Sequence, residues 1–255
     1  MIATLSPRGA PGAFRGLATN PLFNRLCAWA GPAFVVFYSA GILVAGLFPP
    51  PSPTADAAQI VALYSAHANE MRLGCILMAF GAGFIAPWAV AVATQMRRSE
   101  LGSPVLTYSA LASAFFVAID ASLIPTLWAV ATFRAGRITP DITVTINDLG
   151  WFMFMFPWQL GGGIWFVAVA LSILASSNEQ RIYPRWLGWM SIWFCLLTLS
   201  DSLVPFFKSG PFAYNGVFTF YVPFTILLVW VICLTWETMR AINRQQSAEG
   251  RTFVP

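Results

Sequence analysis

The chain contains few charged residues: only 9% of its 255 residues are Asp, Glu, Lys or Arg. Soluble domains carry about 25%. A water-soluble fold of this length needs more charge on its surface than 14 Lys and Arg with 10 Asp and Glu provide. Because 58% of the residues are hydrophobic, we expect lipid rather than water to cover much of the surface.

Residues that bind metals and nucleotides are equally scarce. The one histidine is His67, and the four cysteines lie inside apolar stretches without disulfide or zinc spacing, at Cys27, Cys75, Cys195 and Cys233. The sequence also lacks a Walker motif, a dinucleotide fingerprint and a Gly-x-Ser-x-Gly elbow. We therefore expect no metal and no cofactor. Since the basic residues are spread along the chain, we expect no nucleic-acid partner despite the net charge of +4.

Six long apolar runs follow one another along the chain. Each is long enough to cross about 30 Å of hydrocarbon as a helix. Continuous apolarity over these lengths excludes the alternating strands of a barrel. The sequence thus predicts an all-α polytopic membrane bundle, with spans at about 26–48, 73–96, 105–133, 149–175, 186–207 and 212–239.

The positive residues predict the orientation of these spans, because cytoplasmic loops carry an excess of Lys and Arg. With the N-terminus inside, ten arginines fall on the cytoplasmic side and only Arg72, Arg134, Arg137 and Lys208 fall outside. We expect both termini in the cytoplasm. The predicted organisation is a cytoplasmic segment 1–25, a six-helix transmembrane domain 26–240 and a cytoplasmic tail 241–255.

A short amphipathic helix is predicted in the outer loop after the first span. Thr54 follows a proline-rich stretch and is a candidate N-cap for a helix through about Arg72. Ile60 and Tyr64 would share its apolar face, so we expect the helix to lie on the membrane surface or to roof the bundle. A second start signal at Thr139 and Pro140 predicts a helix that runs into the fourth span.

Small and aromatic residues predict how the spans pack. Ala79, Gly83 and the glycines of residues 161–163 would permit close approach of helices. Tryptophans near the span ends, among them Trp88 and Trp158, are typical of interface anchors or packing, with a cofactor-binding aromatic box as the alternative.

Two acids lie inside apolar runs, Asp120 in the third span and Asp201 in the fifth. A carboxylate at membrane depth is unfavourable by about 2.5–3.5 kcal/mol, so it usually has a partner or a task. Each acid lies sixteen residues from the predicted cytoplasmic start of its span, which predicts matched depths about 24 Å from the inner surface. Pro125 and Pro205 follow them, and each proline frees a carbonyl one turn back. We therefore expect an outward-leaning polar pocket around Asp120 and Asp201.

Three hypotheses compete for these acids. They hold helices together through Ser and Thr hydroxyls, or a protonated Asp is the general acid of an enzyme acting on a lipid- or isoprenoid-like substrate, or they carry protons or a small molecule in a transporter. Further pocket candidates are the serines that follow the acids and two outer charges, Ser122, Ser202, Asp148 and Lys208. Lys208 would face a vestibule shared with Asp201 if the fifth helix continues past Pro205.

The stretches 183–189 and 206–216, the prolines after the first span and the run 95–98 resemble a pattern in uncharacterised bacterial multi-pass integral membrane proteins. This resemblance implies a bacterial inner-membrane setting and no particular activity. We expect a binding or scaffolding role within the membrane, with membrane lipid and a lipophilic small molecule as partners. Assembly into a homo- or hetero-oligomer stays open.

Overall fold

The computed structural model describes residues 21–100, 103–177, 179 and 181–252, and this part of the chain folds into nine α-helices. In chain order they are α1 (Pro21–Val44), α2 (Ala57–Ala66), α3 (Ala68–Gly83), α4 (Ile85–Arg97), α5 (Val105–Phe133), α6 (Pro140–Met155), α7 (Ile164–Leu174), α8 (Arg185–Thr198) and α9 (Val222–Thr252). Three short segments with other helical geometry join them: π-helices Gln159–Gly163 and Val217–Tyr221, and a 3-10 helix Leu199–Phe206.

These elements combine into six helical spans that are long and apolar enough to cross a membrane. Their bounds are Leu22–Val44, Ala68–Arg97, Val105–Phe133, Pro140–Leu174, Arg185–Phe206 and Val217–Ala248. The predicted all-α polytopic bundle is therefore confirmed. The start signal at Pro140 is confirmed too, because the helix that begins there continues into the fourth span with only one irregular segment.

The outward surface of the spans is apolar. Leu26, Val36 and Ile119 keep between 60% and 62% of their side-chain surface exposed, although each lies within a span. Exposed apolar area is unfavourable in water by about 25 cal/mol per Å², and a contiguous apolar surface of this kind marks contact with lipid. The interior holds the aromatic core, including Trp88, Trp128 and Trp230.

The two ends of the described chain meet on the same side of the bundle. The guanidinium of Arg25 donates hydrogen bonds to the Asn243 Oδ1, at 2.8 Å, and to the Gln246 Oε1, at 2.7 Å. The last helix runs to Thr252, beyond the end expected for the sixth span. Much of the predicted tail 241–255 therefore continues the helix of the last span.

The outer helix α2 exists, but its predicted bounds are wrong. Its N-cap is Asp56, whose carboxylate accepts the backbone N–H of Gln59 at 2.7 Å while the Gln59 side chain accepts the Asp56 N–H at 3.1 Å. This reciprocal capping box satisfies two free backbone donors. Thr54 instead pairs its hydroxyl with the Ser52 hydroxyl. The helix ends at Ala66, well before Arg72.

Helix α2 packs over the start of the fourth span. Ile60 and Tyr64 are buried, which agrees with the predicted apolar face, whereas His67 at the end of α2 is exposed. The helix thus roofs one end of the bundle.

Candidate functional site

The acids Asp120 and Asp201 line the same cavity in the interior of the bundle. The volume of this cavity open to the centre of a water molecule is about 50 Å³. Five of the six spans contribute to its wall, with Phe34, Tyr38, Val117, Asp120, Ala121, Ile124, Phe154, Trp158, Asp201, Thr219, Pro223, Phe224 and Leu227. The two acids are separated by 81 positions in the chain, and only the folding of the bundle brings them together.

Asp120 lies on α5, a little more than one turn before a proline inside this helix. Pro125 lacks an N–H, so the carbonyl of Ala121 has no partner within the helix. The hydroxyl of Tyr38 donates to this carbonyl at 3.2 Å from the first span. The freed carbonyl expected beside the acid is therefore satisfied by Tyr38. The Asp120 side chain is 7% exposed and forms no hydrogen bond with any residue that the structure describes.

Asp201 lies on the 3-10 helix Leu199–Phe206, and only 2% of its surface is exposed. Its Oδ1 is buried and has no hydrogen-bond partner among the described residues. A buried carboxyl oxygen without a partner loses its hydration and gains nothing in return. Such an oxygen at the wall of a cavity is where a guest molecule would be held.

The serines next to the acids are turned to other partners. The Ser122 hydroxyl donates to the Ala118 carbonyl of its own helix at 2.7 Å, which is the usual way for a membrane helix to satisfy a serine. Ser202 is partly exposed, and neither serine lines the cavity. Within the described part of the chain, no Ser or Thr hydroxyl forms a hydrogen bond with either acid. The hypothesis that such hydroxyls hold the acids therefore has no hydrogen bond to support it.

Five of the eleven other residues of the cavity wall are aromatic. Tyr38 and Phe154 have ring centroids 6.4 Å apart, and Phe154 and Phe224 are 6.0 Å apart. Phe154, Trp158 and Phe224, together with Leu227, are only partly buried. The cavity is therefore least covered on the side of the fourth and sixth spans.

Irregular helical geometry borders the cavity on three spans. Thr219 in the wall belongs to the π-helix Val217–Tyr221, Asp201 to the 3-10 helix, and Trp158 directly precedes the π-helix Gln159–Gly163. The Gln159 side chain donates to the carbonyl of Thr198, where α8 gives way to the 3-10 helix. Single π-helical turns inside longer helices are frequent at functional sites.

Asp148 and Lys208 belong to a different polar cluster, at the end of the bundle that α2 covers. Asp148 Oδ1 accepts hydrogen bonds from the Asn147 amide at 3.1 Å and from the Tyr214 hydroxyl at 3.3 Å. The Tyr64 hydroxyl donates to the Asn147 Oδ1 at 3.2 Å, which ties the roof helix to the fourth span. Lys208 is exposed and lies within electrostatic range of Asp148.

The side chains around Asp148 form a hydrogen-bonded network among themselves, and they do not enclose an open vestibule. Burial raises the pKa of both Tyr64 and Tyr214, so their hydroxyls stay protonated and can donate. The Tyr214 ring stacks on Trp151 at 5.8 Å. The fifth span ends at Phe206, so Lys208 follows in a loop and does not share a helix face with Asp201. Neither Asp148 nor Lys208 lines the cavity.

Sequence reasoning missed most of the cavity wall. Tyr38 carries no pattern that marks it, since its role depends on the freed carbonyl of a helix far along the chain. Trp158 was among the tryptophans interpreted as anchors or packing, and it borders the cavity. The proline at Pro125 was the available signal, because a freed carbonyl in lipid requires a donor from another span.

Fold and cavity define a polytopic α-helical membrane protein with two acids at one intramembrane cavity. Comparisons with models of protein families, with curated proteins and with solved structures find no match to this chain.

Proposed function

We propose that the protein binds a lipophilic molecule through a positively charged ammonium group, which occupies the cavity between Asp120 and Asp201. The observation that carries this proposal is the pair of buried acids on one cavity, with the Asp201 Oδ1 lacking a hydrogen-bond partner in the described chain. A cation offsets the unfavourable burial of an acidic group better than any neutral guest does.

The aromatic wall supports the same ligand chemistry. A cation over an aromatic ring is attracted by about 0.5–2 kcal/mol, and aromatic cages are a common way to bind quaternary ammonium groups. Tyr38, Phe154 and Trp158 belong to the cavity wall beside the acids. Acidic oxygens and aromatic faces together favour an ammonium group over an anion or a purely apolar chain.

The cavity size limits what enters it. Its volume open to water-molecule centres is about 50 Å³, and a single water molecule needs ~10–15 Å³ of occupied space. This is room for a headgroup and not for a whole lipid. The apolar remainder of the ligand would pass between the partly buried Phe224 and Leu227 toward the acyl chains.

The test is binding of dodecyltrimethylammonium to the full chain in nanodiscs of neutral lipid. The control ligand is its uncharged isostere, in which carbon replaces the ammonium nitrogen. We expect saturable binding of the ammonium compound with an affinity at least about tenfold above that of the isostere, because a desolvated charge pair is worth more than ~1.4 kcal/mol. Equal binding of the two compounds to the protein would exclude ammonium recognition.

Transport of such a cation is a second candidate, favoured by the irregular helical segments around the cavity. Transporters place substrates at interrupted helices near the middle of the membrane. The 3-10 and π segments that carry Asp201 and Thr219 have this character. Uptake of radiolabelled dodecyltrimethylammonium into proteoliposomes would support transport, and binding without uptake would restrict the protein to a binding role.

We further propose that the membrane is the bacterial inner membrane, with both termini in the cytoplasm. The excess of arginine on the side of the termini supports this orientation. A phosphatase reporter that is active only outside the cytoplasm should stay inactive when fused after Thr252 and become active when fused after Arg137. The reverse pattern would refute the orientation.

A further inference from the structure

A second cavity lies at the end of the bundle where the two ends of the described chain meet, opposite the roof helix α2. Its volume open to water-molecule centres is about 360 Å³, and it lies between the linker that precedes α8 and the last helix. Its charged lining residues are three arginines and one glutamate, Arg181, Arg240, Arg244 and Glu237. The charged lining therefore has a net charge of +2.

The single acid does not neutralise this cavity. Glu237 is buried and pairs with the Arg240 guanidinium at 2.8 Å, whereas Arg244 lies at 4.0 Å. Both arginines keep more than half of their side-chain surface exposed. Their remaining N–H donors point to a ligand with several acceptor oxygens, because a guanidinium presents five donors in a rigid fork.

The Arg181 guanidinium has a donor without a partner. Its Nη2 donates to the Ser176 carbonyl at 3.1 Å, which holds the side chain in place. Its Nε is buried and forms no hydrogen bond within the described part of the chain. On the other side of the cavity, Arg244 is fixed by a hydrogen bond to the Ile182 carbonyl at 3.2 Å. Two guanidinium groups are thus positioned around one space.

No other acid of the lining competes for these donors. The Tyr183 hydroxyl pairs with the Thr238 hydroxyl at 3.0 Å, and burial raises the pKa of Tyr183, so this group stays neutral. Trp186 is 48% exposed at the cavity. An indole in this position suits the headgroup layer of a bilayer.

We propose that this cavity binds a phosphate group, supplied by the headgroup of an anionic phospholipid or by free phosphate. Phosphate offers several acceptor oxygens to the forked donors of Arg181 and Arg244. Basic cavities between transmembrane helices on the cytoplasmic side bind anionic lipid headgroups. This site is separate from the cavity at Asp120 and Asp201, with which it shares no lining residue.

The test measures lipid binding to the purified full chain in neutral detergent by native mass spectrometry. We expect phosphatidylglycerol to bind more tightly than phosphatidylcholine with the same acyl chains. The double variant Arg181→Gln/Arg244→Gln should lower phosphatidylglycerol affinity roughly tenfold to thirtyfold, because each arginine near anionic lipid contributes about 1 kcal/mol. The matched control is Arg185→Gln, an exposed arginine on the same side that does not line the cavity.

A second variant separates binding from folding. Glu237→Gln keeps the shape of the side chain and removes the competing negative charge, so phosphatidylglycerol affinity should rise about fivefold. An unchanged or lower affinity in this variant would overturn the proposal, as would equal binding of both lipids or an unaffected double variant. Inorganic phosphate added as competitor identifies the source: displacement of the lipid points to a soluble phosphate, and no displacement points to the lipid headgroup.

Discussion

Asp201→Asn is expected to lower the affinity of the protein for dodecyltrimethylammonium by about a hundredfold. Removing one partner of a desolvated charge pair costs about 2–5 kcal/mol, and about 3 kcal/mol corresponds to this factor. Asn has nearly the same shape as Asp, so the cavity keeps its volume. Equilibrium binding in nanodiscs measures the change, and Asp120→Asn should weaken binding in the same direction.

The control for this prediction is Asp148→Asn, which removes an acid of the fourth span that does not line the cavity. We expect Asp148→Asn to leave the ammonium affinity within about twofold of the original. The Asp201→Asn protein should also assemble normally, because the described chain gives the Asp201 Oδ1 no hydrogen bond to lose. If Asp201→Asn assembles poorly, and the protein that does assemble binds the ligand normally, Asp201 has a structural role and does not bind the ligand.

Gly74→Ala is expected to destabilise the bundle by about 2–3 kcal/mol through a clash between the first and second spans. A Cβ at Gly74 would lie 2.5 Å from the Gly41 carbonyl oxygen and 2.6 Å from the Ala45 backbone nitrogen. These are backbone atoms of α1 and of the residue that directly follows it, so the contact is relieved only if the two spans separate. The midpoint of thermal unfolding in detergent should fall by roughly 5–10 °C.

Gly83→Ala is the matched control, since it makes the same change near the end of the same helix. A Cβ at Gly83 would meet no heavy atom within 4 Å. Alanine has the higher helix propensity, so we expect an unchanged or slightly higher midpoint. If Gly74→Ala and Gly83→Ala lower the midpoint of thermal unfolding equally, the close approach of the two spans at Gly74 does not explain the effect.

The comparison of Gly74 with Gly83 also shows that the sequence alone did not predict which glycine lies at a close helix contact. The sequence singled out Gly83 and Ala79 as sites of close helix approach, which is wrong for Gly83, because a Cβ there would stand in open space. Close approach of two backbones occurs instead at Gly74, where α3 crosses Gly41. Small residues permit close packing on a helix, but the position of the facing helix determines at which of them the close contact forms.

The six spans were predictable because solvent and length alone constrain them. A run that lacks charge and exceeds 17 residues has few alternatives to a membrane helix. Local chemistry was less decisive at the ends of helices. Thr54 and Asp56 are both residue types that favour the N-cap position. Asp56 is the N-cap because Gln59 stands three residues later and completes a capping box.

The two acids were noticeable from the sequence because charge inside an apolar run is rare. Their matched depths also predicted a polar pocket around both of them. The other residues of the cavity wall were not predictable, since they depend on how five spans pack around the cavity. The cavity lined by Arg181 and Arg244 was also missed. Its arginines were counted only as topology signals, and nothing in the order of residues indicates that Arg181 and Arg244 surround the same space.

The most direct test of ammonium binding between the two acids is an experimental structure of the full chain in nanodiscs with dodecyltrimethylammonium bound. We expect density for the headgroup between the side chains of Asp120 and Asp201, with the alkyl chain leaving past Phe224 and Leu227. A bundle in which these two acids face separate surroundings, or density for the headgroup elsewhere on the protein, would contradict it.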